Sequence, residues 1–262
     1  MSARYFVFMW QTRAGDWEIA FFLGHEHKYC LCASNRTIFF SRHGNSATRY
    51  VSPSLTRDNN TRMATNALAE ICAAADFAAR KHRDQRRKDP EATPYINHPI
   101  GVAYNATHIG CITDRVTIAA CLLHDTVEDT DTTYDELVET FGKTIADVVM
   151  EVTDDRTLSR AERKRAQIEH VSYMSDRAKL VKLCDKLYNL QDFINNPPAG
   201  YTLQRIQGYI VCSRMALEGA RGLNAPLEAE LDKIFNGTFV FEGKEYACCP
   251  DDLDEAHVFP TH

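Results

Sequence analysis

The sequence predicts an all-α domain of about eight to ten helices, with segments of different composition attached at both ends. Apolar residues recur at helical spacing almost throughout residues 63–234, without the alternation that marks strands. At 262 residues, with 44% hydrophobic and 25% charged residues, the chain is long enough and apolar enough to bury a core. These two observations define the fold class.

Start and stop signals set the limits of the individual helices. Thr133 is followed three residues later by Glu136, the pattern of a capping box, and Pro99 suits the first turn of a helix. The predicted helices cover residues 64–83, 99–109, 115–128, 134–141, 143–152, 159–174, 176–194, 202–219 and 226–235. A β-hairpin is predicted within residues 238–247.

The two ends differ from the middle in charge. Basic residues outnumber acidic ones in residues 1–62, whereas the last residues are strongly acidic. We therefore divide the chain into an extension at 1–62, a folded domain at 63–236 and an acidic tail at 237–262. The extension is expected to be poorly ordered, and two short aromatic-rich strands, at 5–10 and 36–40, are the alternative.

Composition excludes several classes of protein. A net charge of −6 and a pI of about 5.9 argue against a nucleic-acid binder, and no apolar run is long enough to span a membrane. Nine cysteines, an odd number, favour reduced thiols, and their spacing does not match zinc-binding pairs. We expect a cytoplasmic protein that binds a small molecule. Mitochondrial targeting by the basic extension is a weaker alternative, and the sequence leaves the oligomeric state open.

Chemistry is concentrated at the end of the predicted helix over 115–128. This helix is apolar on most of its circumference, yet it ends in His124-Asp125-Thr-Val-Glu128-Asp129. At 100° per residue, His124, Asp125 and Glu128 fall within one arc of the helix. Because buried carboxylates are costly unless they are paired, this cluster indicates a metal ion or a basic partner.

Two further segments supply matching residues. Asp185 borders the apolar face of the helix over 176–194, one turn before Asn189, and a loop stiffened by two prolines delivers His98 to the start of the next helix. Together with His124 and Asp125 they form a set of two histidines and two carboxylates. Mixed nitrogen and oxygen ligands suit Mn²⁺, Fe²⁺ or Zn²⁺ rather than a metal selected by thiolates.

Two other groups complete the predicted site. Glu128 and Asp129 are spare carboxylates that can orient or deprotonate a water molecule. The cluster Arg86-Arg87-Lys88 can hold phosphate groups, with arginine binding in bidentate fashion.

The pattern His98, His124-Asp125 and Asp185 resembles the spaced H…HD…D motif of the HD-domain phosphohydrolases. The segments RRKDPEATPYINHPI, LLHDTVEDTDTTYDEL, EVTDD, ERKR and AKLVKLCDKLYNL are similar to the hydrolase domain of RelA/SpoT proteins. They are most similar to its small stand-alone metazoan members, the SpoT homologues of animals. The resemblance covers about residues 66–235 and implies an HD-domain helical bundle with an unrelated N-terminal extension. Cys184 is a mild departure, and no ligand position is lost.

The resemblance implies a function and a set of roles. A protein of this kind removes the 3′-pyrophosphate of guanosine 3′,5′-bis(diphosphate), ppGpp, to give GDP and pyrophosphate, using one Mn²⁺ ion, with Fe²⁺ or Zn²⁺ less favoured. The implied metal ligands are His98, His124, Asp125 and Asp185, and the implied catalytic pair is Glu128 and Asp129. The implied substrate contacts are Arg87, Lys88 and Asn189. We also place Tyr95, Arg160 and Arg205 on the wall of the substrate pocket.

Two alternative functions remain open at this point. NADPH carries a 2′-phosphate whose position resembles that of a ribose 3′-pyrophosphate, so a phosphatase that converts NADPH to NADH is the first alternative. The second is a nucleotide-sensing HD domain without catalysis. The intact pair Glu128-Asp129 argues against a sensor, and a metal with an acidic pair does not by itself choose between nucleotides.

Overall fold

The structure, a computed structural model, describes residues 5–11, 17–23, 28–33, 36–43, 46–51, 59–89, 91–198 and 200–259. The chain divides into two compact units, Met1–Met63 and Ala64–His262.

The first unit contains a five-stranded antiparallel sheet in which each strand pairs with the next along the chain. Its strands are β1 (Tyr5–Gln11), β2 (Trp17–Leu23), β3 (Lys28–Ala33), β4 (Arg36–His43) and β5 (Ser46–Val51). The aromatic clusters at 5–10 and 36–40 fall on β1 and β4, and the sequence did not predict the other three strands. The poor order expected for the extension stays a prediction. The division of the chain at 1–62, 63–236 and 237–262 also stays a prediction.

The second unit is helical, and the predicted all-α bundle is confirmed. Its helices are α1 (Asn59–Lys81), α2 (Asn97–Tyr104), α3 (Arg115–Leu123), α4 (Thr126–Asp129), α5 (Tyr134–Phe141), α6 (Lys143–Val152), α7 (Arg160–His170), α8 (Asp176–Asn195), α9 (Leu203–Leu217), α10 (Ala225–Phe235) and α11 (Glu255–Val258). The predicted hairpin is present as β6 (Thr238–Phe241) and β7 (Lys244–Ala247). Short π- and 3₁₀-helical turns extend α2, α7 and α9.

The predicted helix over 115–128 is interrupted. Helix α3 ends at Leu123, and α4 is a separate single turn. Side chains take the carbonyl groups at the break: His124 Nδ1 donates to Cys121 O at 2.8 Å, and Thr126 Oγ1 donates to Leu123 O at 2.7 Å. Such side-chain donors compete with the helical hydrogen-bond ladder, which explains why the continuous helix was a wrong prediction.

Helix α3 lies at the centre of the bundle. Residues 116–123 are all buried, as the apolar circumference of this segment predicts. It packs against α2, α6 and α8, so the residues at its C-terminal end meet side chains from both α2 and α8. The described cysteines, including Cys121 and Cys184 in this core, are free thiols. None of the helices that the structure describes is both long and apolar enough to cross a membrane.

The C-terminal segment packs against the helical bundle. Phe239, Cys248 and Val258 are buried, and α11 lies against α9. The close approach depends on Gly208, because a Cβ atom at this position would clash with the carbonyl group of His257. The tail is therefore part of the core of this unit, although its composition is acidic.

Candidate metal and hydrolytic site

The four predicted metal ligands come together at the centre of the helical unit. His98 lies at the start of α2, His124 and Asp125 lie in the break between α3 and α4, and Asp185 lies in α8. His98 Nε2 is 3.2 Å from His124 Nε2, 3.3 Å from Asp125 Oδ2 and 3.2 Å from Asp185 Oδ1. His124 Nε2 is 3.1 Å from Asp125 Oδ2 and 3.6 Å from Asp185 Oδ1.

Neighbouring groups orient these side chains. Because His124 Nδ1 donates to the carbonyl of Cys121, its Nε2 atom is the one that faces the cluster. Tyr95 OH donates to Asp125 Oδ2 at 2.7 Å, and Asn189 Nδ2 donates to Asp185 Oδ1 at 2.6 Å. Three of the four ligand side chains are thus held in place by a second contact.

The cluster attracts positive charge. Burial disfavours the ionised carboxylates, but the two imidazoles outweigh it and hold the pKa of Asp125 and of Asp185 well below the usual range. Burial also disfavours a charged imidazole, yet Asp125 and Asp185 prevail and raise the pKa of His124 to about 10. A proton or a metal cation therefore satisfies the two buried carboxylates.

The donor set fits a divalent cation. His98, His124 and Asp185 are buried and offer ligand atoms that all lie within 4.8 Å of one another. Asp125 Oδ2 adjoins both imidazoles. Two nitrogen and two oxygen donors match the ligand types of Mn²⁺, Fe²⁺ or Zn²⁺. The group can hold a metal ion, and the donor types alone do not choose among these three.

The two predicted catalytic carboxylates differ in their surroundings. Glu128 is half-buried, and its Oε2 atom accepts a hydrogen bond from the backbone amide of Asp154 at 3.1 Å. Burial, with the negative charges of Asp154 and Asp125, raises the pKa of Glu128. Asp129 instead forms an ion pair with the exposed guanidinium of Arg156. Glu128 is therefore the better placed of the two to exchange a proton.

Glu128 also lines a cavity of about 230 Å³ that is rich in cations. Arg160, Lys164 and Arg205 contribute to its wall, so the structure brings two of the predicted substrate contacts to the same place as Glu128. The guanidinium of Arg205 stacks on the ring of Tyr201 at 3.9 Å, and its Nε atom is buried without a hydrogen-bond partner in the described part of the chain. Such a wall suits an anionic ligand.

A second cavity, of about 260 Å³, contains Arg87. The guanidinium of Arg87 donates to Asn189 Oδ1 at 3.1 Å and to Asp192 Oδ2 at 2.6 Å. It also lies 5.8 Å from the ring centres of both Tyr95 and Tyr188. The structure therefore joins Arg87 to Asn189, two of the expected substrate contacts, whereas Lys88 is exposed and lines neither of these two cavities.

Several residues of the site escaped the sequence analysis. Lys182 and Lys186 are buried in α8, on either side of Asp185. Asp154 and Lys164 approach Glu128 from other elements. Asp154 belongs to the quoted EVTDD segment, which was the only signal for it. His82 is buried, with its ring 4.9 Å from that of Tyr95.

Comparison with known proteins agrees with this site. A family model described as HD domain matches residues 74–207. Proteins named guanosine-3′,5′-bis(diphosphate) 3′-pyrophosphohydrolase MESH1 are 53% identical in Danio rerio and 55% identical in Homo sapiens, covering 66% and 64% of this chain and 96% and 93% of theirs. A solved structure described as a metazoan orthologue of SpoT that hydrolyses ppGpp is 47% identical, with a TM-score of 0.62, and covers 64% of this chain and 94% of its own.

The fold and the site thus define the class of protein: the chain is a metal-dependent hydrolase of the HD-domain family. Within that class it belongs to the stand-alone metazoan branch of the RelA/SpoT hydrolases.

Proposed function

We propose that the protein hydrolyses ppGpp to GDP and pyrophosphate with Mn²⁺ bound at His98, His124, Asp125 and Asp185. The observation that carries this proposal is the position of Glu128. It lies three residues from a predicted metal ligand and lines a cavity with cationic walls. A carboxylate that can take up a proton, next to a group of metal ligands and a cavity with cationic walls, suits the hydrolysis of a phosphate ester.

The chain's own residues perform distinct tasks in this reaction. When bound, the metal ion supplies Lewis-acid activation of water and of the phosphoryl group. Glu128 accepts a proton from the attacking water, and the new bond forms at the phosphorus attached to the ribose O3′ atom. The bond between O3′ and phosphorus breaks, the ribose oxygen takes a proton, and pyrophosphate leaves.

Cationic side chains stabilise the phosphate groups. Arg160, Lys164 and Arg205 face one cavity with Glu128, where they can balance charge that develops as pyrophosphate leaves. Arg87 and Asn189 share a hydrogen bond at the second cavity, which suits contacts with the nucleoside. Oriented donors of this kind hold the scissile bond against the metal site.

The names of the relatives support ppGpp as the substrate. Those with about half of their residues identical are named for the 3′-pyrophosphate of ppGpp. The solved relative is also described as taking part in starvation responses, and we extend that role to this protein as part of the proposal. The ligand types accept Mn²⁺, and we choose it among the possible metals because the resemblance to the RelA/SpoT hydrolases implies it.

Release of pyrophosphate from ppGpp by the purified full chain with Mn²⁺ tests the proposal. NADPH is assayed in parallel for release of phosphate, and His124→Ala serves as the control without an intact metal site. We expect turnover of ppGpp that depends on Mn²⁺ and is lost in His124→Ala. A much larger kcat/KM for NADPH than for ppGpp would identify NADPH as the substrate. Binding of either nucleotide without turnover would indicate a sensor.

A further inference from the structure

A partly buried network connects Glu128 to α8 through the segment at the end of α6. The amide of Asp154 donates to Glu128 Oε2 at 3.1 Å. Lys182 Nζ donates to the carbonyl of Val152 at 2.7 Å and lies 3.9 Å from Asp154 Oδ1. Gln167 of α7 donates to the other carboxylate oxygen of Asp154. Helices α7 and α8 therefore hold the segment whose backbone amide binds Glu128.

The two charged members of this network are shielded from water. The side chains of Lys182 and Asp154 are 10% and 16% exposed, and that of Glu128 is 23% exposed. Charges in such surroundings are screened by salt far less than surface charges. Salt therefore only weakly screens the effect of Lys182 and Asp154 on Glu128.

Their effects on Glu128 are opposed. After burial itself, the negative charge of Asp154 raises the pKa of Glu128, while the positive charge of Lys182 lowers it. The negative charge of Asp125, at the N-cap of α4, also raises the pKa of Glu128. Arg156 Nε lies 3.9 Å from Glu128 Oε1, but its side chain is 57% exposed.

The remaining charges that face Glu128 lie across the cavity, on Arg160, Arg163 and Lys164 of α7, Lys186 of α8 and Arg205 of α9. Asp154 and Lys182 differ from these because the first donates its own amide to Glu128 and the second donates to the carbonyl of Val152, two residues before Asp154.

We propose that Asp154 and Lys182 are positioning residues for the hydrolysis, which hold Glu128 in place and bias its charge in opposite directions. The inference rests on the proposed role of Glu128 as the group that accepts the proton. A base for this reaction must be ionised near neutral pH and still bind a proton readily. Lys182 stabilises the ionised carboxylate of Glu128, whereas Asp154 increases the affinity of that carboxylate for a proton.

Matched substitutions separate this role from a structural one. Asp154→Asn removes one charge and leaves the amide that binds Glu128, while Lys182→Met removes the opposite charge and keeps a long side chain. Asp155→Asn and Lys179→Met are the controls. They make the same charge changes one residue and one helical turn away, and in the described part of the chain the side chain of Asp155 bonds only to Thr157.

Two measurements on the full chain are compared. The first is an NMR titration of ¹³C-labelled glutamate carboxyl groups without metal, with the Glu128 signal assigned by its loss in Glu128→Gln. The second is the pH dependence of kcat/KM for ppGpp with Mn²⁺. We expect Asp154→Asn to move the Glu128 titration and the acidic limb of the rate profile to lower pH by about half a unit or more. Lys182→Met should move both to higher pH by a similar amount, and the controls should move neither.

The outcomes distinguish the two proposals. Shifts of the Glu128 titration in opposite directions support the positioning role. If the NMR shifts are seen but ppGpp is not turned over, the positioning role stands and only the proposed function fails. Reduced turnover with an unmoved Glu128 titration would show that Asp154 and Lys182 act only in folding, and would overturn the inference. If Lys182→Met does not fold, Asp154→Asn decides alone, with Lys182→Arg expected to restore the wild-type titration.

Discussion

At the scale of single residues, the site depends on charges that the fold forces together. Asp125 and Asp185 face two imidazoles within 3.6 Å at the centre of the bundle. Bringing like-charged carboxylates into a buried site costs free energy unless a cation compensates them. The proposed ligands and the proposed base are separate groups with separate surroundings, so their losses should have separate consequences.

Substitution of a ligand and of the base should therefore give different results. We expect His124→Ala to lose both metal and turnover, because it removes one nitrogen donor from the cluster. Glu128→Gln should keep the metal and lose turnover by about 10²–10⁴-fold, the usual contribution of a general acid or base. Metal analysis of the purified variants, together with ppGpp kinetics, checks both. Full activity of Glu128→Gln with bound metal would remove Glu128 from the mechanism.

The burial of Lys164 predicts that the free energy of unfolding depends on pH. Burial lowers the pKa of Lys164, and the nearby cations Lys186 and Arg160 add to this effect. Because the unfolded chain then binds the proton more tightly, Lys164 lowers the free energy of unfolding at neutral pH, and this cost disappears as the pH rises through the ordinary lysine value. We expect Lys164→Met to be more stable than the wild type at pH 7 and equally stable near pH 10.5. Urea unfolding of both proteins at several pH values measures the difference, and a difference independent of pH would contradict the assignment.

At the scale of elements, the site is built where three helices meet. Helix α3 brings His124 to its C-terminal end, α2 brings His98 in its first turn, and α8 brings Asp185 to the same point. Close packing depends on Gly101, since a Cβ atom there would collide with the ring of Tyr188, which lies 5.2 Å from the ring of His98. Helix α9 contributes Arg205 and is in turn covered by α11.

The contact between α9 and α11 can be tested at Gly208. A methyl group at this position would clash with the carbonyl of His257 and push α11 away. We expect Gly208→Ala to lower the free energy of unfolding by about 1–3 kcal/mol, as overpacking usually does. The C-terminal segment should also become more sensitive to proteolysis. Gln204→Ala, at an exposed position of α9, is the control, and equal stability of the two variants would show that the tail adjusts without cost.

At the scale of the whole molecule, the helical unit contains every residue of the proposed site. It also contains the C-terminal segment, which contributes Phe239, Cys248 and Val258 to the buried core. The sequence predicts that residues 63–236 fold and hydrolyse substrate without the extension. The buried residues beyond 236 indicate that a stable unit needs a longer C-terminal end.

Two fragments test the extent of the functional unit. We expect residues 59–259 to fold and to hydrolyse ppGpp as the full chain does, because α1 begins at residue 59 and the site is complete within this range. Residues 59–236 should be less stable by about 3 kcal/mol or more, since at least one large aromatic side chain and the residues under it lose their burial. Thermal unfolding and kinetics of both fragments provide the comparison. Equal stability would show that the tail only covers the surface.

The sequence by itself determined the helical class, most helix limits and the set of candidate ligands. Helical periodicity and caps are local properties, and α5 and α6 have exactly the predicted limits for that reason. The pairing of His124-Asp125 with a distant histidine and aspartate can also be predicted from the sequence, because buried charge of this kind requires a partner.

Only the tertiary structure decided which distant residues meet. The burial of Lys182 and the contact between Asp154 and Glu128 depend on the packing of α8 against the end of α6. The break after Leu123 arises because His124 and Thr126 bond to carbonyl groups of α3, a choice that helix periodicity does not encode. The acidic tail joined the core for the same reason: burial depends on the surfaces that meet in space, and residues far apart in sequence supply those surfaces.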